Sequence, residues 1–206
     1  MKNWRFIDSP QLSTCANMDL DKLLFDNFNG KPIFRLYSWQ KNSFTIGRFQ
    51  KSKGLEKFGT RFSKRMTGGG LLFHGCDVSY TIIIPIKLLG NKSVKESYMY
   101  LCSFLIHFYK NLGLNIKYAK DIMPNSLSKS FFCQEGFEAY DMTCNGKKIG
   151  ANAQRRTKEL ILQHGSIPFK KDNRKHTGYS LEEFGLMLEK KEIKKLLKES
   201  FIKTFK

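Results

Sequence analysis

The chain has 206 residues, 41% of them hydrophobic, enough for one buried core of ordinary domain size. Its longest apolar stretch, 80–89, is interrupted by Pro85 and Lys87 and is far too short to span a bilayer, and the opening residues show no apolar run behind a basic start. The formal charge of +18 would draw in an acidic partner, nucleic acid or an acidic carrier protein, although lysines spread along a chain are also common as plain solvated surface.

The spacing of Met18, Leu20, Leu23, Leu24 and Phe28 predicts a helix over 14–28. Residues 32–37 and 43–49 read as two strands around a polar turn at 40–42, and 61–65 as a short strand leading to the run Gly68, Gly69, Gly70. The β-branched stretch 78–84 predicts a buried strand stopped by Pro85. Residues 93–112 have the period and length of a helix closed by Gly113. Strand-like pieces follow at 131–133, 139–143, 147–151 and 159–164, with Asn145-Gly146 as a hairpin turn signal between two of them. From Ser180 the apolar spacing is helical again. The expected class is α/β (α+β): one domain, 1–206, with a mixed, largely antiparallel sheet flanked by helices.

The five cysteines, Cys15, Cys76, Cys102, Cys133 and Cys144, include no C-x-x-C pair, which argues against a zinc ribbon or a disulfide framework and suits a reducing, cytoplasmic setting. Three other segments suggest chemistry. In the first, Arg65 precedes Gly68-Gly69-Gly70 and then His74; consecutive glycines let backbone N–H groups approach an anion or carbonyl, and an arginine adds a charge-assisted donor. The ending of a Walker loop is absent, and a plain connector is the ordinary alternative. In the second, Lys148 follows the hairpin turn, and the small residues Gly150 and Ala151, before Gln154, leave room beside it; a solvated hairpin lysine is commoner. In the third, His164 stands before Gly165 at the end of an apolar strand, where it either shapes a pocket or packs.

Together these segments resemble the lipoate-protein ligase and octanoyltransferase superfamily, which shares a biotin/lipoate ligase-like fold. R-x-T-G-G-G-x-x-F-H at 65–74 is similar to its R-x-[ST]-G-G-[GR]-x-V-x-H loop. G-K-K-I-G-A-N-A-Q at 146–154 is similar to G-[RK]-K-I-x-G-S-A-Q, and L-Q-H-G-S-I at 162–167 to L-Q-H-G-[ST]-[IL]. Upstream, R-L-Y-S-W at 35–39 and T-I-G-R-F-Q at 45–50 resemble R-x-Y-x-W and [ST]-x-G-x-x-Q.

In the cysteine-dependent octanoyltransferases of this superfamily, the resemblance implies a nucleophile fifteen positions before the strand lysine, and Cys133 stands fifteen before Lys148. Tyr140-Asp141-Met142 falls where that branch shows Y-[ED]-L, and Asp77-Val78-Ser79-Tyr80 resembles its [ED]-[LV]-[ST]-Y. Gly70 looks more like the ligases, and no cysteine follows His164 as the other octanoyltransferase type requires. The resemblance thus implies a route from acyl carrier protein, through a Cys133 thioester, to the lysine of a lipoyl-domain or glycine-cleavage-H-type acceptor. Lys148 would favour the thiolate and, when neutral, take the acceptor's proton. Arg65 and the glycines would frame the acyl carbonyl, with His74 and His164 lining the pocket. No metal or cofactor is expected; ATP and magnesium would enter only for a ligase. Many ligases of this family need a further C-terminal domain, so the short chain would favour the transferase, although a ligase could borrow that domain from a second chain. The rivals are an ATP-dependent lipoate ligase, an amidotransferase between carrier proteins, and a basic nucleic-acid-binding module, which would have no use for the Cys133–Lys148 spacing.

Overall fold

A computed structural model describes residues 3–122, 130–133, 135–174 and 178–205. It opens on β1 (Arg5–Leu12), a strand that the sequence pattern did not announce. β1 is an edge strand, and its register slips between Asp8 and Gln11, around Pro10, where an edge tolerates the missing N–H. α1 (Thr14–Asp26) starts on the Ser13 hydroxyl, which accepts the Ala16 N–H, and stops two residues short of the predicted end.

β2 (Ile33–Trp39) is buried throughout. β3 (Ser43–Ile46) ends before the predicted Phe49, and β4 (Phe62–Lys64) and β5 (Leu72–His74) complete a small sheet in the order β4-β3-β5. All nine residues of β6 (Asp77–Pro85) are buried, as expected of a central strand. α2 (Val94–Asn111) carries a capping box between Ser93 and Glu96, and Gly113 at φ 78° leads the chain away.

β7 (Ile116–Tyr118), the single turn α3 (Ala119–Ile122), β8 (Met142–Cys144) and β9 (Lys147–Lys148) come next, with β7, β8 and β9 forming a third sheet. Asn145 and Gly146 take φ 50° and 75°, the left-handed pair of a tight hairpin. The strand expected over 147–151 is broken: Gly150 at φ 83° bends the chain, and β10 (Ala151–Arg156) begins in another sheet. The piece at 131–133 is no strand but a single parallel bridge between Leu71 and Phe132. β11 (Leu160–Pro168) runs antiparallel to both β10 and β6. The helical tail starts later than Ser180, because Gly185 in the left-handed region ends a short turn before α4 (Lys190–Thr204).

The main sheet has the order β1-β2-β6-β11-β10, with only β1 and β2 parallel among these neighbours. Strand alternation sends Phe34, Tyr80, Ile82 and Ile161 toward α2 and α4, and Ile33, Ile83 and Leu162 toward α1. On the first face the rings of Phe34 and Phe201 stack at 3.8 Å, with Phe104 edge-on to both. Phe201→Ala is expected to cost about 3–5 kcal/mol through the cavity it leaves. A lower urea midpoint at unchanged slope would register it.

Candidate functional site

Between β4 and β5 the chain passes through Arg65 and the three glycines, and two close approaches hold that loop. A Cβ on Gly47 would stand 1.9 Å from the Gly69 carbonyl oxygen, so only glycine lets the end of β3 pass beneath the loop. A Cβ on Gly70 would stand 2.4 Å from the Phe131 carbonyl oxygen and 2.8 Å from the Cys133 nitrogen. That contact admits the cysteine segment, which is then zipped on: the Leu71 N–H donates to Phe131 O and the Cys133 N–H to Leu71 O, both at 2.8 Å.

Cys133 Sγ consequently lies over Gly69, 3.7 Å from where a Cβ there would be. Arg65 Nη2 is 3.2 Å from that same point. Gly69 is at φ 96°, so Gly69→Val would both strain the backbone and crowd the thiol. The variant is expected to slow Cys133 alkylation at least about tenfold while keeping the circular dichroism of the fold; an unchanged rate would show the loop to be a mere connector.

Contrary to the expectation from sequence, Arg65 does not offer its guanidinium freely to a ligand. Nη1 donates to Thr45 Oγ1 at 2.8 Å, and Nη2 donates to the carbonyls of Gly70 at 2.7 Å and Gly68 at 3.2 Å. It ties the loop together. Burial pulls its pKa down, opposed by the nearby Cys133. The backbone N–H groups of Gly68, Gly69 and Gly70 donate to no partner among the described residues.

His74 is stacked on Trp39 at 3.9 Å, with Nε2 against Thr45 Oγ1 and Nδ1 against Asp77 Oδ2, each at 2.8 Å. Burial pushes its pKa down against the opposing pull of Asp77. His164 contacts Thr67 Oγ1 through Nε2 at 2.6 Å. Its buried Nδ1 has no hydrogen-bond partner among the described residues; Asp21 Oδ2 stands 3.9 Å away, beyond hydrogen-bond reach. Burial lowers this histidine too, with Asp21 opposing.

Lys148, on β9, is buried, and its ammonium has three acceptors: Asp141 Oδ2 at 2.5 Å, Cys133 O at 2.7 Å and Gly136 O at 2.8 Å. All three protons are thus engaged. The lysine meets Cys133 at its backbone carbonyl, so the expectation that it faces the thiol is corrected: it clasps the segment that carries the thiol. Asp141 Oδ2 also accepts the Glu138 N–H at 2.8 Å, tightening the same loop.

Two hollows meet at the cysteine. One is a narrow, mostly apolar slot of about 20 Å3 bordered by Met18, Trp39, Arg65, His74, Ala151, His164 and Gly165. The other is a wider, more polar cleft of about 540 Å3 bordered by Gly68, Gly69, Gly70, Asp141, Lys148 and Gln154. Cys133, Asn152 and Ala153 border both. Gly165 belongs in the slot wall because a Cβ there would be 2.1 Å from Asn152 Oδ1. Gly150, singled out in the sequence as space for a ligand, borders neither hollow; a Cβ there would meet the Ser166 carbonyl oxygen at 2.7 Å, so it is a packing and bending position.

The sequence reading missed Asn152, whose Oδ1 is fixed by the Tyr80 hydroxyl at 2.8 Å, and gave no role to Asp141, although Asp141 lies within the match to Y-[ED]-L. Among the described residues no group of three or more His, Cys, Asp or Glu is placed to hold a metal ion.

A narrow, mostly apolar slot thus meets a wider, more polar cleft at a thiol. The chain belongs to the lipoyl protein ligase A/B catalytic domain family, which matches residues 13–203. It is 34% identical over 184 residues to the octanoyltransferase LipM of Carboxydothermus hydrogenoformans, covering 84% of this chain and 67% of that one. The octanoyltransferase LipM of Oceanobacillus iheyensis is 33% identical over 177 residues, 81% of this chain and 64% of the relative. The chain therefore spans about two thirds of the length of these relatives. In fold it is similar to lipoate-protein ligase A bound with ATP, with a TM-score of 0.76 at 18% identity, covering 98% and 84% of the two chains. A bi-partite lipoate protein ligase from Thermoplasma acidophilum, studied with its E2 lipoyl domain, superposes with a TM-score of 0.74 at 18% identity, covering 99% and 84%.

Proposed function

We propose that the chain is an acyltransferase of protein lipoylation, moving an octanoyl or lipoyl group from acyl carrier protein through Cys133 to the lysine of a lipoyl-domain acceptor. The observation that carries this reading is the seating of Cys133. Its segment is zipped to the glycine loop, its Sγ lies over Gly69, and it stands where the apolar slot meets the polar cleft. The names of the relatives support the octanoyl group, and the bi-partite ligase with its lipoyl domain supports the acceptor class.

In the first half-reaction the Cys133 thiolate attacks the carbonyl carbon of the donor thioester. A new S–C bond forms, the donor's C–S bond breaks, and the donor leaves as its thiolate, which takes a proton from water. The unpartnered amides of Gly68–Gly70 are the groups available to hold the oxyanion. At about 20 Å3 the slot has room for about one water, so the tail enters by displacing side chains, and Met18 is the flexible one at hand. In the second half-reaction the acceptor amine attacks the acyl-cysteine, the C–N bond forms and Cys133 leaves as thiolate. The amine's proton passes to the Lys148–Asp141 pair: Lys148 gives one of its protons to Asp141 and receives the new one.

Intact-mass spectrometry tests the reading. Mixing with octanoyl carrier protein and no ATP is expected to add one octanoyl group to the chain, removable by a lipoyl-domain acceptor. Modification of the acceptor only in the presence of ATP and free acid would assign the ligase reaction instead.

A further inference from the structure

Beside the cleft lies a second depression, of about 440 Å3, that the proposed chemistry does not use. It is bordered by Lys51, Lys53, Leu55 and Lys57, and by the half-exposed ring of Phe131, two positions before Cys133. Gln50 borders both hollows and donates to the Phe131 carbonyl at 3.2 Å, so the depression is continuous with the cysteine segment. Next to it Phe49 is 83% exposed, with the Arg48 guanidinium 5.5 Å from its ring.

The segment 47–61, which leaves β3 and returns as β4, carries five basic residues and one acid, Glu56. Arg48, Lys51, Lys53 and Lys57 form no ion pair among the described residues. Two lysines of α4 differ: Lys194 is paired with Asp8 and Lys190 donates to Gln11. Exposed aromatic rings among uncompensated cations are what a docking surface for an acidic protein presents: rings to bury, charges to steer.

We propose that this trough docks the acidic carrier domain that donates the acyl group, an inference that rests on the function proposed above. The trough lies beside Cys133 and not over it. A carrier domain delivers its thioester on a long flexible arm and can bridge that displacement, whereas an acceptor lysine must enter the cleft directly. The donor's thioester is itself uncharged, so recognition of the donor falls to the surface of its domain.

The test compares two donors on the triple variant Lys51→Glu, Lys53→Glu, Lys57→Glu, with circular dichroism to confirm folding. The second-order rate of Cys133 acylation by octanoyl carrier protein is expected to fall at least about tenfold and to lose most of its salt dependence. Acylation by octanoyl-N-acetylcysteamine, a small uncharged thioester, is expected to stay at the wild-type rate. An unchanged carrier rate would overturn the docking site and leave the acyltransferase standing. An equal fall with both donors would also overturn it, since the lysines would then act on the site itself. Loss of duplex DNA binding with the carrier rate retained would reassign the trough to nucleic acid. Failure of the wild type to react with either donor would remove both proposals.

Discussion

Cys133→Ser is expected to abolish the octanoyl adduct, while Cys15→Ser, Cys76→Ser, Cys102→Ser and Cys144→Ser leave it in place. The other thiols are disqualified physically. Cys102 is fully buried, and burial pushes its pKa to about 12, so almost none of it is thiolate near neutral pH. Cys144 is buried in β8, and burial likewise raises it. Cys76 is raised by burial and by Asp172. Cys15 is exposed at the start of α1, where it accepts a contact from Ser63, and borders neither hollow at the site. Cys133 alone combines access with the glycine loop and a cation, Arg65, whose guanidinium is close enough to interact with it electrostatically. A serine hydroxyl at 133 would remain protonated, so the rate should fall by several orders of magnitude, as when other covalent nucleophiles are removed. Adduct formation that survives Cys133→Ala would end the transferase reading.

Local pattern revealed what local physics controls. The β-branched run of β6, the capping box before α2 and the Asn145-Gly146 turn are short-range signals, and each lies where its chemistry puts it. β1 escaped notice because its residues alternate poorly and include Pro10; its strand state comes from pairing with β2, which no local period encodes. The break at Gly150 is tertiary too, since it results from the approach of the Ser166 carbonyl.

The site shows the same division. The spacing of Cys133 and Lys148 was legible, but a sequence interval cannot say whether two residues meet by side chain or by backbone. They meet at a carbonyl. Arg65 read as a ligand donor because its type suits one, and its actual partners, Thr45 and two loop carbonyls, come together only once β3 and β4 pair. Gly70 separates the two levels most clearly. Its likeness to the ligases suggested a different reaction, whereas in three dimensions its missing Cβ is what admits the cysteine segment.

Lys148→Met and Asp141→Asn are expected to separate holding the cysteine segment from moving the acceptor's proton. Lys148→Met leaves the carbonyls of Cys133 and Gly136 without their donor and strands the buried Asp141 carboxylate. Breaking a buried pair from one side costs about 3–5 kcal/mol, so the single variant should unfold at lower denaturant and lose both half-reactions. Adding Asp141→Leu removes the stranded charge and should recover much of that stability, without restoring transfer to the acceptor. Asp141→Asn keeps the shape and a hydrogen-bonding oxygen for Lys148 but removes the carboxylate that would receive its proton. First-order transfer from pre-acylated enzyme to the lipoyl-domain lysine should therefore slow by about 10²-fold, the usual scale of general acid–base catalysis, while formation of the acyl-cysteine changes far less. A more basic buffer should narrow the gap, because an acceptor amine already deprotonated in solution has less need of the pair. Equal slowing of both half-reactions at every pH would reduce Lys148 and Asp141 to a clasp on the cysteine segment, and the proton would have to leave by another group.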